Sequence, residues 1–182
     1  MPQWDDSEII QGIKTPGKEE LAFNHLVEKY QQRLYWHIRK IVVVHDDTDD
    51  VLQNTMIKVW KSLPEFRSDS SLFTWLYRIA TNEALTFLKR KQRRILGPSL
   101  EMEQQMAEEI ESDPYFSGDE VQKKLQQAIL KLPEKQRLVF NMKYFDGIKY
   151  EEMSEILKTS VGALKASYHH AVRKIESMLG ED

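Results

Sequence analysis

Between about residues 19 and 44, apolar side chains return at steps of three and four: Phe23, Leu26, Tyr30, Leu34, Ile38 and Ile41. That spacing follows one face of a 3.6-residue period and predicts a long amphipathic helix. The polar cluster HDDTDD breaks the stripe and offers several N-cap residues to a second helix. Leu52, Met56, Val59 and Leu63 line that helix, and Pro64 ends it. After the loop EFRSDSS, Leu72, Leu76, Ala80, Ala84 and Leu88 define a third helix. It runs out in KRKQRR and is stopped by Gly97–Pro98. Nothing in this half alternates as a strand would.

The pattern resumes with Val121, Leu125, Ile129 and Leu132. Pro133 opens a further helix carrying Leu138, Met142 and Phe145, and Asp146–Gly147 forms a stopping turn. YEEMSEIL follows, with Met153, Ile156 and Leu157 as its buried face, and then a final stripe of Val161, Leu164, Tyr168, Ala171 or Val172, and Ile175. The intervening GPSLEMEQQMAEEIESDPYFSGDE can form a helical turn or two but reads as a separator. The predicted architecture is all-α: two small helix-bundle domains, residues 1–96 and 121–182, joined by an acidic linker over 97–120.

Composition narrows the class. With 41% hydrophobic and 30% charged residues the chain falls outside the disordered class. No apolar run of about 18 residues predicts a membrane span. The acidic N-terminus lacks the apolar core of a signal peptide, so a cytoplasmic location is expected. The absence of cysteine removes disulfides, thiolate nucleophiles and thiolate zinc sites together. The net charge of −3 is unevenly spread. Residues 1–96 hold 15 basic against 13 acidic side chains, residues 97–120 none against eight, and residues 121–182 eleven against eight. Both flanks are mildly basic and the middle is strongly acidic, so the total conceals two candidate polyanion-binding segments.

The C-terminal segment has the form short helix, tight turn, second helix of about four turns. Ser160 is a candidate N-cap after the connection Lys158–Thr159. If Val161, Leu164 and Tyr168 face inward, then Gly162, Ala163, Lys165, Ala166, Ser167, His169 and His170 occupy the other faces. Small residues for close approach and polar donors suit a major-groove reading helix, although a plain helical hairpin has the same pattern. A metal site at His169 and His170 is not expected, because neighbours on a helix point about 100° apart and no third ligand joins them.

In the N-terminal half, Trp60, Phe66, Phe73, Trp75 and Tyr77 are interleaved with Arg67, Arg78, Lys89, Arg90, Lys91, Arg93 and Arg94. Cations that follow phosphates and aromatic faces that receive bases make a single-strand binding surface. The alternative is that the aromatics are core and KRKQRR is a solvated helix end favourable to the macrodipole. Asp46, Asp47, Asp49 and Asp50 fit a hard-cation site or stabilisation of a helix N-terminus, and Asp49 and Asp50 also fit a polar face, with Gln53 and Asn54, that docks a basic partner.

Taken together, DDVLQNTMIKVWKSL with FRSDSSLFTWLYRIATNEALTFLKR resembles region 2 of the sigma-70 family of transcription initiation factors. LPEKQRLVFNMKYFDGIKYEEMSEILKTSVGALKASYHHAVRKI resembles their region 4. With only these two regions and a short linker, the chain is similar to the extracytoplasmic-function (ECF) group, over residues 20–94 and 121–178. The resemblance implies a non-enzymatic factor, with no catalytic residue, cofactor or small-molecule substrate. Its implied partners are core RNA polymerase and promoter DNA, duplex at the minus-thirty-five element and single-stranded at the minus-ten element. An anti-sigma factor is common in that group. The implied polymerase-binding residues are Asp49, Asp50, Val51, Gln53, Asn54 and Trp60. Those implied at the minus-ten element are the loop Phe66, Arg67, Ser68, Asp69, Ser70 and Ser71, with Trp75, Arg78, Asn82, Lys89 and Arg90. At the minus-thirty-five element they are Ser160, Gly162, Ala163, Lys165, Ala166, Ser167, His169, His170 and Arg173.

The chain departs from the family pattern in LKASYHHAV: Lys165 is kept, but Ser167 and His170 stand where arginines are frequent. Phe73 also occupies an often basic place. Fewer fixed cations predict weak autonomous DNA binding and a dependence on polymerase for affinity. The acidic linker is expected to lie near the basic surfaces and suppress stray binding. Two rival readings are a polymerase-independent helix-turn-helix dimer on a palindrome and a helical adaptor with no nucleic-acid role.

Overall fold

The computed structural model describes residues 3–95, 100–116 and 118–180, which fold into α-helices with no strand among the described residues. In chain order they are α1 (Asp6–Ile13), α2 (Glu19–Val42), α3 (His45–Ser62), α4 (Leu72–Arg94) and α5 (Leu100–Ser112). Then come α6 (Glu120–Leu130), α7 (Glu134–Tyr144), α8 (Tyr150–Leu157) and α9 (Val161–Gly180). A single 3-10 turn, Leu63–Glu65, follows α3 and contains Pro64, so the proline tightens the helix end as expected. The expected stop at Gly97–Pro98 lies outside the described residues.

Three of the four N-terminal helices match the periodic stripes. Leu26, Leu34, Ile38, Val59, Leu76, Ala80 and Ala84 are buried where α2, α3 and α4 meet. The fourth, α1, has no counterpart in the sequence reading. Asp5 and Glu8 form a reciprocal capping box, each carboxylate accepting the other's backbone N–H at 2.8 Å. Its Ile9 and Ile13 are buried against α2. A Cβ on Gly12 would lie 2.8 Å from that of Ala22 and 2.6 Å from the Trp4 ring, so this close approach requires glycine. Between α2 and α3 the chain turns at Val43, at φ +70°, before the acidic cluster is reached. HDDTDD therefore supplies no cap: its first aspartates, Asp46 and Asp47, lie inside the first turn of α3, where they face the positive helix end.

The linker contains more structure than a turn or two. Residues Leu100–Ser112 form a continuous helix whose Met106 and Ile110 are buried, followed by a buried Phe116. This segment docks on the end of α2. Arg39, 1% exposed, pairs with Glu109 at 3.3 Å and with Asp113, while its guanidinium lies 5.1 Å from the centre of the Phe116 ring. Tyr115 stacks on Trp36 with ring centres 4.0 Å apart. Two of the linker's acids thus neutralise a buried arginine.

In the C-terminal bundle, α6, α7 and α9 surround Ile129, Leu132, Phe140, Ala171 and Ile175. A second, larger core runs through both halves of the chain. Leu138, Met142, Ile148, Met153, Ile156 and Leu164 belong to the same apolar cluster as Leu26, Ile38 and Leu76. The contact is made mainly by α8 lying along α4, with α7 touching α2.

Candidate nucleic-acid interface

The helix-turn-helix is formed locally. Lys158 adopts a left-handed conformation, φ +51°, and closes α8. The Ser160 hydroxyl oxygen accepts from the Ala163 backbone N–H at 3.2 Å, which makes it the N-cap of α9. Leu164 and Ala171 are fully buried, and Tyr168 stacks over Phe140, with ring centres 5.8 Å apart. These inward residues rotate Ser160, Gly162, Ala163, Lys165, Ala166, His169, His170 and Arg173 into exposed positions, with Ser167 half-buried. At twenty residues α9 is longer than the four turns expected. The rings of His169 and His170 are 6.1 Å apart and tilted by 58°. Gly162, Ala163 and Ala166 keep the first turns of its outer face small, and α9 carries three exposed fixed cations, Lys165, Arg173 and Lys174.

The second set of residues begins at the loop before α4 and runs along that helix, with Lys89 and Arg90 near its far end. The Ser71 hydroxyl caps that helix by accepting from the Thr74 N–H at 3.1 Å. Arg67, Ser68, Asp69, Asn82, Lys89 and Arg90 are exposed, while Ser70, Trp75 and Arg78 are half-buried. Arg78 has a buried Nε without a hydrogen-bond partner, an orphan donor beside the exposed loop. Phe66 does not join this surface. It is 6% exposed and packs under Trp75 with ring centres 5.0 Å apart, because the 3-10 turn directs it into the core. Phe73, in its departure from the family pattern, carries Arg33 stacked 5.0 Å above its ring. That arginine returns a cation to the place where the sequence lost one, a contribution from α2 that no local pattern reveals. Tyr77 beside it has its hydroxyl pKa pushed up to about 12, chiefly by burial.

The third surface is the outer face of α3. Asp49, Asp50, Gln53 and Asn54 are exposed, and Trp60 is 41% exposed against Phe23. Val51 points the other way: at 1% exposure it fills the core between α2 and α4 and can touch no outside partner. Sequence reading missed one residue here. Ile57, one turn before Trp60 on α3, is nearly half exposed and extends the apolar side of that face. The signal was present in its position off the buried stripe. Asp47 and Asp50 also share a groove with Phe87, Arg90, Lys91 and Arg94 of α4, in which Lys91 is paired to Asp47. The basic end of α4 is thus partly neutralised by α3.

Comparison with known proteins matches these surfaces to two family descriptions. Residues 26–94 match Sigma-70 region 2, and residues 122–175 match Sigma-70, region 4. The chain is 30% identical to the RNA polymerase sigma-H factor of Pseudomonas aeruginosa, over 98% of this chain and 96% of that one. It is 31% identical to the ECF RNA polymerase sigma-E factor of Escherichia coli K12, over 96% and 94%. Its fold is similar to CnrH in complex with the cytosolic domain of CnrY, with TM-score 0.70, 22% identity and coverage of 97% and 98%. It is also similar to the sigma factor RpoE in complex with the anti-sigma factor NepR from Bartonella quintana, with TM-score 0.68, 20% identity and coverage of 88% and 98%. Both regions in family order, with relatives matched end to end, mean that the chain belongs to the sigma-70 family of RNA polymerase initiation factors, in its ECF group.

Proposed function

We propose that this sigma factor divides promoter recognition among the three surfaces described above, while membership of the family carries its general role: promoter-specific initiation with RNA polymerase. In this reading the α3 face, with Asp49, Asp50, Gln53, Asn54 and Trp60, docks on core polymerase. The loop from Arg67 to Ser71 and the cations of α4 hold the extruded strand of the minus-ten element, with cationic groups on phosphates and Trp75 beside the unstacked base. The exposed N-terminal half of α9 enters the major groove at the minus-thirty-five element.

The observation that supports this division best is the outer face of α9, whose small residues permit groove approach while its buried face packs against α6, α7 and α8. The chain acts by binding alone, not as an enzyme, and in the cytoplasm, where its polymerase partner resides. An anti-sigma factor belongs to this reading by analogy with the Bartonella pair. The test is run-off transcription by core polymerase with and without the protein over a genomic promoter library. A set of transcripts that requires the protein and shares a two-part upstream motif is expected. No gain in any promoter-specific transcript overturns the reading, and tight binding of the free chain to a palindrome would replace it with the dimeric regulator.

A further inference from the structure

Arg33, on α2, belongs to none of the three surfaces assigned above, yet it stands at the end of one of them. Its side chain is exposed, and its guanidinium lies 5.0 Å from the centre of the Phe73 ring, on the second residue of α4. Tyr77, one turn further along α4, offers its hydroxyl to the same guanidinium. With its pKa pushed up to about 12, chiefly by burial, that hydroxyl is neutral at neutral pH and steers the arginine without cancelling its charge. The three other cations of α2 are spent inside the fold. Lys29 pairs with Asp6 at 2.7 Å, Arg39 with Glu109 and Asp113, and Lys40 with Asp146 at 2.7 Å. Arg33 rests on an aromatic face instead.

A guanidinium stacked on a ring keeps its N–H groups in its own plane, so its edge stays open to an anion while the stack holds it still. That planar fork matches the oxygens of a phosphate. Phe73 and Trp75 are two positions apart on α4 and so point to nearly opposite sides of its first turn. The loop from Arg67 to Ser71 leads into that turn, with Ser71 as the cap. Cations and aromatic side chains therefore continue around the end of α4, from Trp75 and the loop to Phe73 and Arg33.

We infer that Arg33 is a phosphate-binding subsite for single-stranded DNA, fixed by Phe73 and Tyr77, so that a strand held by the loop before α4 continues past the end of that helix onto α2. The inference rests on the minus-ten reading of that loop. Phosphate is the ligand the site fits, because the arginine already occupies the ring face that a base would stack on, and what remains is charge and N–H donors. A strand that reaches Arg33 gains one neutralised phosphate. Such a contact sets the path of the strand and carries no information about its bases. The subsite therefore adds affinity without adding sequence preference.

The test uses the full-length chain bound to core polymerase and a fluorescent fork DNA, a duplex carrying a single-stranded arm of random sequence. Core polymerase alone is the reference. Arg33→Ala should weaken binding of the fork by about five- to tenfold, the loss of one charge-assisted bond. The slope of log affinity against log salt should become shallower by about 0.7, the share of one single-strand phosphate. Arg33→Lys should restore the slope but only part of the affinity, because an ammonium does not reproduce the stacked planar fork. On a blunt duplex without the arm, wild type and Arg33→Ala should bind alike, and both should bind core polymerase equally well. An unchanged fork affinity or an unchanged salt slope in Arg33→Ala overturns the subsite. An equal loss on fork and blunt duplex assigns Arg33 to duplex backbone and overturns it as well, as does a loss confined to core polymerase, which makes Arg33 a protein contact. If the wild-type chain adds no affinity for the fork over core polymerase alone, the minus-ten reading itself fails and takes the subsite with it.

Discussion

Asp146 is a residue whose chemistry reverses what burial alone would do. Burial raises a carboxyl pKa, but the hydrogen bond and charge of His37 and the charge of Lys40 outweigh it and hold this one below its ordinary value. Trp60 shows the opposite case, an aromatic left half in solvent because Phe23 covers only its edge. Changing Trp60 to Ala removes apolar surface from a face that the fold does not use for its own core. Polymerase affinity should therefore fall about tenfold or more, as expected for an exposed interface aromatic, while urea unfolding changes little. Val51→Ala should behave in reverse, costing about 1–2 kcal/mol of stability through lost burial and leaving the affinity of the folded fraction unchanged. Fluorescence titration against core polymerase beside an unfolding curve distinguishes the two. If Trp60→Ala leaves the affinity intact, the α3 docking face is wrong.

At the scale of elements, the features that position the site are caps and docking contacts. Ser160 caps α9, and Ser71 caps α4 by the same bond between a hydroxyl oxygen and a backbone N–H. Each helix therefore begins at the residue from which its proposed reading surface is built. Replacing Ser160 with Ala should cost about 1 kcal/mol and speed amide exchange in the first turn of α9, with no change in α4. The linker helix depends on tertiary contacts, since its acids need Arg39 and its Tyr115 needs Trp36. Arg39→Ala removes the guanidinium that Glu109 and Asp113 share. Hydrogen exchange across residues 100–112 should then rise while α9 keeps its protection. Equal protection in mutant and wild type would show that α5 is held by Met106, Ile110 and Phe116 alone.

For the whole molecule, the buried contact of Asp146 with Lys40 and His37 between the two bundles brings a dependence on acid. A carboxyl whose folded pKa is depressed contributes fully above its ordinary value near about 4. That contribution is lost as pH falls through the depressed value. The groups facing Asp146 are His37, Lys40 and, at longer range, Tyr77 and Tyr115, and both tyrosines have pKa values raised chiefly by burial. Stability to urea should therefore fall as pH drops below that ordinary value, and in D146N this part of the fall should be absent. A fall of the same size in both proteins would assign it to other carboxylates.

What the sequence determined by itself is local. Stripes at three and four residues define α2, α3, α4 and α9 because a helix repeats its faces within a few positions, and the outer face of α9 follows once Leu164 and Ala171 are known to point inward. Charge division was also legible, since counting needs no geometry. The short α1 was not, because eight residues carry little periodic signal, although the Asp5–Glu8 capping pair was there to be read. The burial of Val51 and Phe66 was not legible for a related reason: a residue's place in a family motif does not say whether its side chain points to solvent or to core. The rest only the tertiary structure decided. Arg33 over Phe73, Arg39 with Glu109 and Asp113, and His37 with Asp146, 109 residues apart, join positions that no local pattern relates. Pairings of that kind depend on how the helices are stacked, and from them comes the placement of the acidic residues of α8 across from the loop that precedes α4.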